Sequence, residues 1–288
     1  MTPRKHDRKG HAMDSTRRSF LKAAGTSLAA VGLGAFGTRA TGAAEAYGGL
    51  RMGIQSYSLR HFPFDEAMDK VAELGLGYVE LYPGHLDHSK VTEAALSEAI
   101  KRMEGLGIVP DAYGVNGFDE DEAAARKIFD FAKRLGLRSI SADPTPSSFD
   151  MLDKLVDEYQ IPIAIHNHGP HHRWGKPEVI LEAVKDHHQL IGLCADTGHF
   201  LRADVDPVKA IKLLHGRVFG LHIKDFISEK EEAIAGDGKL DLKALIAEVR
   251  AQDFDGACSI EFELSPEDPM AGIRAGLSNV RKAVSSLA

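Results

Sequence analysis

The chain has 288 residues, 43% of them hydrophobic and 27% charged, which is enough apolar content for one large core. Lys and Arg number 35 against 42 Asp and Glu, a formal charge of −7. That balance excludes the basic surface on which nucleic-acid phosphates are neutralised.

In chain order, the first segment stands apart from any fold. Residues 15–22 read STRRSFLK, residues 23–37 are small and apolar (AAGTSLAAVGLGAFG), and TRATGAAEA follows. A basic stretch, an apolar run too short to span a bilayer comfortably and a small-residue cleavage region read as an export signal. The arginine pair followed by Phe-Leu-Lys closely resembles the twin-arginine signal. The expectation is a signal peptide over 1–46, cleaved near Ala44 or Ala46, with the twin-arginine export machinery as partner and a periplasmic or exported location. Such export carries folded proteins, often with the cofactor already loaded, which suits a metalloprotein. Residues 1–46 hold 8 of the Lys and Arg and 3 of the Asp and Glu, so the body, 47–288, carries 27 basic residues against 39 acidic, a formal charge of −12. The body offers nothing to nucleic acid, and no second apolar run is long enough for a stable membrane span.

The body repeats itself. VAELGLGYVELY (71–82), RMEGLGIVPDAY (102–113) and FAKRLGLRSISAD (131–143) each run from a helix end through Leu-Gly into a strand, and AQDFDGACSIEFE (251–263) repeats the theme with Gly256. Gly75, Gly105 or Gly107, and Gly136 sit where a left-handed residue closes a helix. Amphipathic helices are predicted over 65–74, 92–103, 119–135 and 207–216. Short apolar strands are predicted near 52–57, 78–82, 108–114, 138–142, 161–166, 190–196, 217–223 and 257–262, each followed by a helical segment. Eight alternating units point to a single (β/α)8 TIM barrel, an α/β fold. An open doubly wound sheet is the rival, but no Gly-rich phosphate turn follows the first strand, IQSYSLRHF. Cys194 and Cys258 fall in predicted strands with opposite facing, which argues against a disulfide.

In such a barrel the chemistry sits where strands end. Strand two ends with Glu80, strand five with His166 and His168, strand six with Asp196 and His199, strand seven with His222, Lys224 and Asp225, and strand eight with Glu261 and Glu263. His166 and His168 are one residue apart and so face the same way on a strand. One buried polar residue is commonly a satisfied core group; five strands carrying them at one end indicate a site. Asp196, His222, Glu261 and one strand-five residue offer mixed nitrogen and oxygen ligands without thiolate. That set suits one divalent ion (Mn, Co, Zn or Fe) with positions open for substrate oxygens.

CADTGHF, GLHIKD, AGDGKLDLKALI and SIEFE, in that order, together with IQSYSLR and YVELYPGH, resemble the xylose isomerase-like barrel superfamily, described broadly as sugar phosphate isomerases/epimerases. The resemblance covers essentially the whole body. It implies a metal held by a Glu ending strand five, the Asp of an Asp-x-x-His motif, a strand-seven His and a strand-eight Glu. The last three fall on Asp196, His222 and Glu261; in place of Glu-Asn-His this chain has His166-Asn167-His168. His166 can take the ligand position but not the place of a carboxylate base, which puts the family's two-carboxylate epimerase mechanism in question.

The expected activity is a metal-dependent isomerase/epimerase acting on a small sugar through an enediolate. A lyase, dehydratase or hydratase of keto-sugars or inositols is the alternative, and an exported sugar-binding barrel without turnover the second. A DNA-repair endonuclease, which shares the superfamily, needs a three-metal, histidine-rich cluster and a basic face, and the acidic body speaks against it. Glu261 is the expected base, Lys224 an acid, base or oxyanion partner, and His199 a contact to substrate hydroxyls. Glu80 is expected to orient His166 or His168. Phe62, Tyr82 and Trp174 offer aromatic faces to a sugar, and Arg202, with Arg173, could meet a phosphate or carboxylate. A homo-oligomer is compatible with all of this.

Overall fold

The computed structural model describes residues 45–287. All but the last two residues of the export signal expected over 1–46 lie outside the described residues. The body closes into a barrel of eight parallel strands with helices between them. In chain order these strands are β1 (Met52–Gln55), β2 (Tyr78–Leu81), β3 (Val109–Phe118), β4 (Ser139–Pro144), β5 (Ile163–His166), β6 (Ile191–Asp196), β7 (Val218–Ile223) and β10 (Ala257–Ile260). Between β7 and β10 the chain inserts a small antiparallel hairpin, β8 (Asp225–Phe226) with β9 (Glu232–Ala233), which the sequence reading lacks.

The helices are α1 (Phe64–Glu73), α2 (Glu93–Leu106), α3 (Glu122–Leu135), α4 (Phe149–Tyr159), α5 (Pro177–Val184), α6 (Thr197–Arg202), α7 (Pro207–Leu213), α8 (Leu242–Ala251) and α9 (Met270–Ser285). Their starts follow from side chains that satisfy free N–H groups: Thr92 caps α2, Asp121 caps α3 and Asp241 caps α8. Two of their ends are left-handed glycines, Gly107 after α2 and Gly136 after α3. Gly75 is likewise left-handed, whereas Gly256 is not: after α8 the positive φ falls on Asp253. Gly256 instead lets β10 pass the Phe219 carbonyl, which a Cβ would meet at 2.4 Å.

The apolar core lies between barrel and helices and includes Met52, Ile54, Val79, Ile140, Ile163, Leu193 and Ile260. Register brings the polar strand ends level with one another. His222 pairs with Asp196 on one side and with Ser259 on the other. Both cysteines are free and buried.

Candidate metal centre at the barrel mouth

β5, β6, β7 and β10 deliver His166, Asp196, His222 and Glu261 to one buried place, where one ligand atom from each lies within 4.8 Å of the others. His166 Nε2 is 3.0 Å from His222 Nδ1 and 3.6 Å from Asp196 Oδ2. His222 Nδ1 is 2.9 Å from Glu261 Oε2 and 4.0 Å from Asp196 Oδ2. Asp196 is pinned by its place in the chain. It ends β6 and caps α6, so Oδ1 accepts the His199 N–H at 2.6 Å. Asn167, the residue after β5, holds the backbone of Asp196 by two hydrogen bonds. That leaves Asp196 Oδ2, and across from it Glu261 Oε2, buried without a hydrogen-bond partner.

The tautomer of His222 follows from Glu80, whose Oε2 lies 2.8 Å from His222 Nε2. A carboxylate only accepts, so His222 Nε2 carries the proton. The lone pair of Nδ1 therefore faces two carboxylate oxygens and the His166 nitrogen. A set composed only of acceptors calls for a cation, either a proton or a metal ion. The same pressure shows in the titration. Burial opposes charge on His222, but Cys194, Glu80 and Glu261 together hold its pKa well above the usual value. Burial likewise opposes ionisation of Glu261; Lys224 and then His222 overcome it and bring the pKa down to about 2. Asp196 is held well below the usual carboxylate range, against its burial, by His199, His166 and Lys224. The donor set thus fits a divalent ion of mixed nitrogen and oxygen preference.

Around this cluster the other expected residues fall into two groups. His168 lies two residues past the end of β5, with its ring 4.6 Å from that of His166 and 5.3 Å from that of His199. Burial, then neighbouring imidazoles, push His168 down to about 3; burial also leads the fall of His199 to about 4. Both rings are neutral. Tyr82 follows the end of β2, half-buried, edge-on to Tyr57 at 4.9 Å.

The remaining expected residues are placed as follows. Glu80 is 1% exposed and orients His222, not His166 or His168, so it is closed to substrate. Lys224 is 1% exposed, ion-paired with Glu263, and 3.5 Å from Glu261 Oε1. Burial opposes its charge, but Glu261, Asp196 and Glu263 raise its pKa, so it is an ammonium and not a base. Trp174 is 2% exposed and its Nε1 donates to the Pro144 carbonyl at 3.1 Å, which makes it a core residue and not a sugar platform. Phe62 packs against the core with the Lys70 ammonium 4.1 Å above its ring. Arg173 is bound to Asp143, and Arg202 to the Glu229 carbonyl and His199. The sequence places Asp225 past the end of strand seven and gives it no role. Its carboxylate accepts four backbone N–H groups, from Phe226, Gly236, Gly238 and Leu240, and so ties down the loop that contains the hairpin. Its place in GLHIKD, just past a strand end and ahead of a glycine-rich loop, was the available signal.

Comparison with known proteins agrees with this fold. A curated relative is an inosose dehydratase of Lactiplantibacillus plantarum, 26% identical over 131 residues, covering 39% of this chain and 44% of the relative. The chain thus spans less than half the length of the curated relatives it matches. Among solved structures, an uncharacterised protein from Parabacteroides distasonis is 30% identical, with a TM-score of 0.65, over 81% of this chain and 98% of that one. A 3-keto-D-glucoside 4-epimerase from E. coli shares the fold at 16% identity and a TM-score of 0.66, over 81% of this chain and 99% of that one. The family model of the xylose isomerase-like TIM barrel matches residues 68–283, and the chain belongs to that family.

Proposed function

We propose that this protein is a divalent-metal-dependent sugar isomerase/epimerase that removes a proton next to the carbonyl of a keto-sugar. The observation that carries the reading is the pair of buried, unpartnered carboxylate oxygens, Asp196 Oδ2 and Glu261 Oε2, converging with two imidazoles. His166, Asp196, His222 and Glu261 would hold the ion, which when bound polarises a substrate carbonyl and acidifies the adjacent C–H. Glu261 is the base: one oxygen belongs to the cluster, and the other lies 3.5 Å from the Lys224 ammonium. Lys224 keeps Glu261 ionised and ready to accept. His199 and His168, both neutral, offer hydrogen bonds to substrate oxygens without adding charge. Reprotonation from either face gives the isomer or epimer.

A second reading is elimination of water from a keto-sugar or inosose. It is favoured by the lack of a second available carboxylate across from Glu261 among the described residues of the cluster. His166 stands at the end of β5, Glu80 is committed to His222, and Asp196 Oδ1 to the α6 cap. One base that hands the abstracted proton on to the leaving hydroxyl, which departs as water, is enough for elimination, whereas epimerisation needs access to both faces. The cations at the mouth are engaged: Arg173 by Asp143, Arg202 by Glu229 and His199, Lys224 by Glu263. This supports an uncharged, unphosphorylated sugar.

The test is elemental analysis of the protein beside Asp196→Ala and His222→Ala, followed by incubation with ketoses, keto-glycosides and inosose in D2O. Near-stoichiometric metal that each variant loses, with deuterium entering the sugar, is expected. Full metal occupancy in both variants would sink the assignment. Loss of water from inosose would select the lyase, and tight binding without exchange a sugar-binding barrel. Export rests on residues 15–46 alone, and cell fractionation with Arg17→Lys/Arg18→Lys tests it.

A further inference from the structure

By its position at the mouth Arg202 is a natural anion binder, yet its donors are already placed. Nε donates to the Glu229 carbonyl at 2.9 Å, and Nη1 lies 3.1 Å from His199 Nδ1. The guanidinium sits over the Phe226 ring, 5.3 Å from its centroid. On its other side a Cβ at Gly169 would stand 3.5 Å from Arg202 Cζ, so the β5 loop packs against it. Arg202 is thus held by three segments and is not free to swing.

A guanidinium has donors only and does not give up its proton. His199 Nδ1 must therefore be the acceptor, which leaves the proton of the neutral ring on Nε2. The base of the side chain is fixed as well, because the His199 backbone N–H is bonded to Asp196 Oδ1. His166 Nδ1 and His168 Nδ1, on rings 5.7 and 5.3 Å from that of His199, have no hydrogen-bond partner and so do not take this N–H. No protein acceptor for His199 Nε2–H exists among the described residues.

We propose that Arg202 is a positioning residue that locks His199 as the Nε2–H tautomer, so that the mouth presents one fixed N–H donor to a substrate oxygen. The description of that oxygen as belonging to an uncharged keto-sugar rests on the proposed function; the tautomer does not. An unconstrained imidazole divides between two tautomers, and the other one would present a lone pair, repelling a carbonyl oxygen. With Arg202 behind it the ring offers its N–H each time, at no reorganisation cost during reaction. The positive charge against Nδ1 also makes Nε2–H a stronger donor as negative charge grows on the oxygen. A neutral imidazole is a competent electrophile in this role.

The test is NMR of full-length protein labelled with 15N at histidine, with His199→Gln identifying the His199 signals. The wild type is expected to show an unprotonated Nδ1 and a protonated Nε2. Arg202→Met, which keeps length but removes the donor, is expected to bring in the other tautomer; Arg202→Lys, which restores a cationic donor, is expected to recover the first. With inosose as probe, Arg202→Met should lower kcat by about 10²-fold with KM little changed, and Arg202→Lys should regain most of it. A protonated Nδ1 in the wild type, or an unchanged tautomer in Arg202→Met, would overturn the proposal. Should the wild type neither exchange nor dehydrate inosose, that substrate fails while the NMR result still decides the lock.

Discussion

Glu80 and His222 form a unit that neither residue defines alone. Glu80 is buried on β2, takes the His222 Nε2–H, and receives a longer bond from Ser259 at 3.3 Å. It thereby aims the other nitrogen of His222 at Asp196 and Glu261. Glu80→Gln keeps the shape but offers no charge to back the imidazole, so metal affinity is expected to fall about 10–100-fold while the fold persists. Isothermal titration with Zn²⁺ reads this directly. His168 and His199 carry a pH prediction. Their folded pKa values, about 3 and about 4, lie below that of an unfolded histidine. The unfolded chain therefore binds more protons once pH drops below about 6.5, and stability falls from there toward pH 4. Thermal unfolding of metal-stripped protein should show this slope, and His168→Gln/His199→Gln should flatten it; equal slopes would refute the assignment of both as neutral.

At the scale of elements, the loops that build the site are pinned by local devices. Asp225 gathers four backbone N–H groups of its own loop, a task no neutral side chain could take over. Asp225→Ala strands several buried donors, and a loss of about 3–5 kcal/mol is expected in denaturant unfolding, with early proteolysis between 227 and 240. Gly198 serves the short helix α6. A Cβ there would lie 2.7 Å from Lys224 Cγ and 2.9 Å from the Phe226 ring, so α6 packs on the stem of the buried lysine only because this residue is glycine. Gly198→Ala should cost about 1–3 kcal/mol by overpacking. The hairpin and α6 are also joined by Arg202, which ties the loops after β6 and β7 together.

For the whole molecule, closure of the barrel is what turns separate strand ends into a cluster. Glu80 and His222 are 142 positions apart in sequence and Lys224 and Glu263 39, yet all converge at one mouth. The cysteines show the opposite face of the same architecture. Burial pushes the Cys258 thiol up to about 12 and raises Cys194 as well. Native protein is expected to give no fast reaction with a thiol reagent at pH 8, and two thiols per chain after denaturation. A fast native thiol would show that the barrel opens.

The sequence by itself determined the barrel, because period-two apolar runs, amphipathic helices and left-handed glycines are local signals that repeat at each unit. It also determined which strand ends carry His166, Asp196, His222 and Glu261, since a polar residue at the end of an apolar strand is costly enough to stand out. A loop position in sequence hid the burial of Trp174 in the fold. Only tertiary structure decided that Glu80 serves His222, that Lys224 is paired and charged, that Arg202 is spent on His199, and that Asp225 anchors a loop. These are matters of which donor meets which acceptor across strands. Hydrogen-bond direction, tautomer and pKa depend on distances of about 3 Å between residues far apart in the chain, and composition and periodicity carry no such distances.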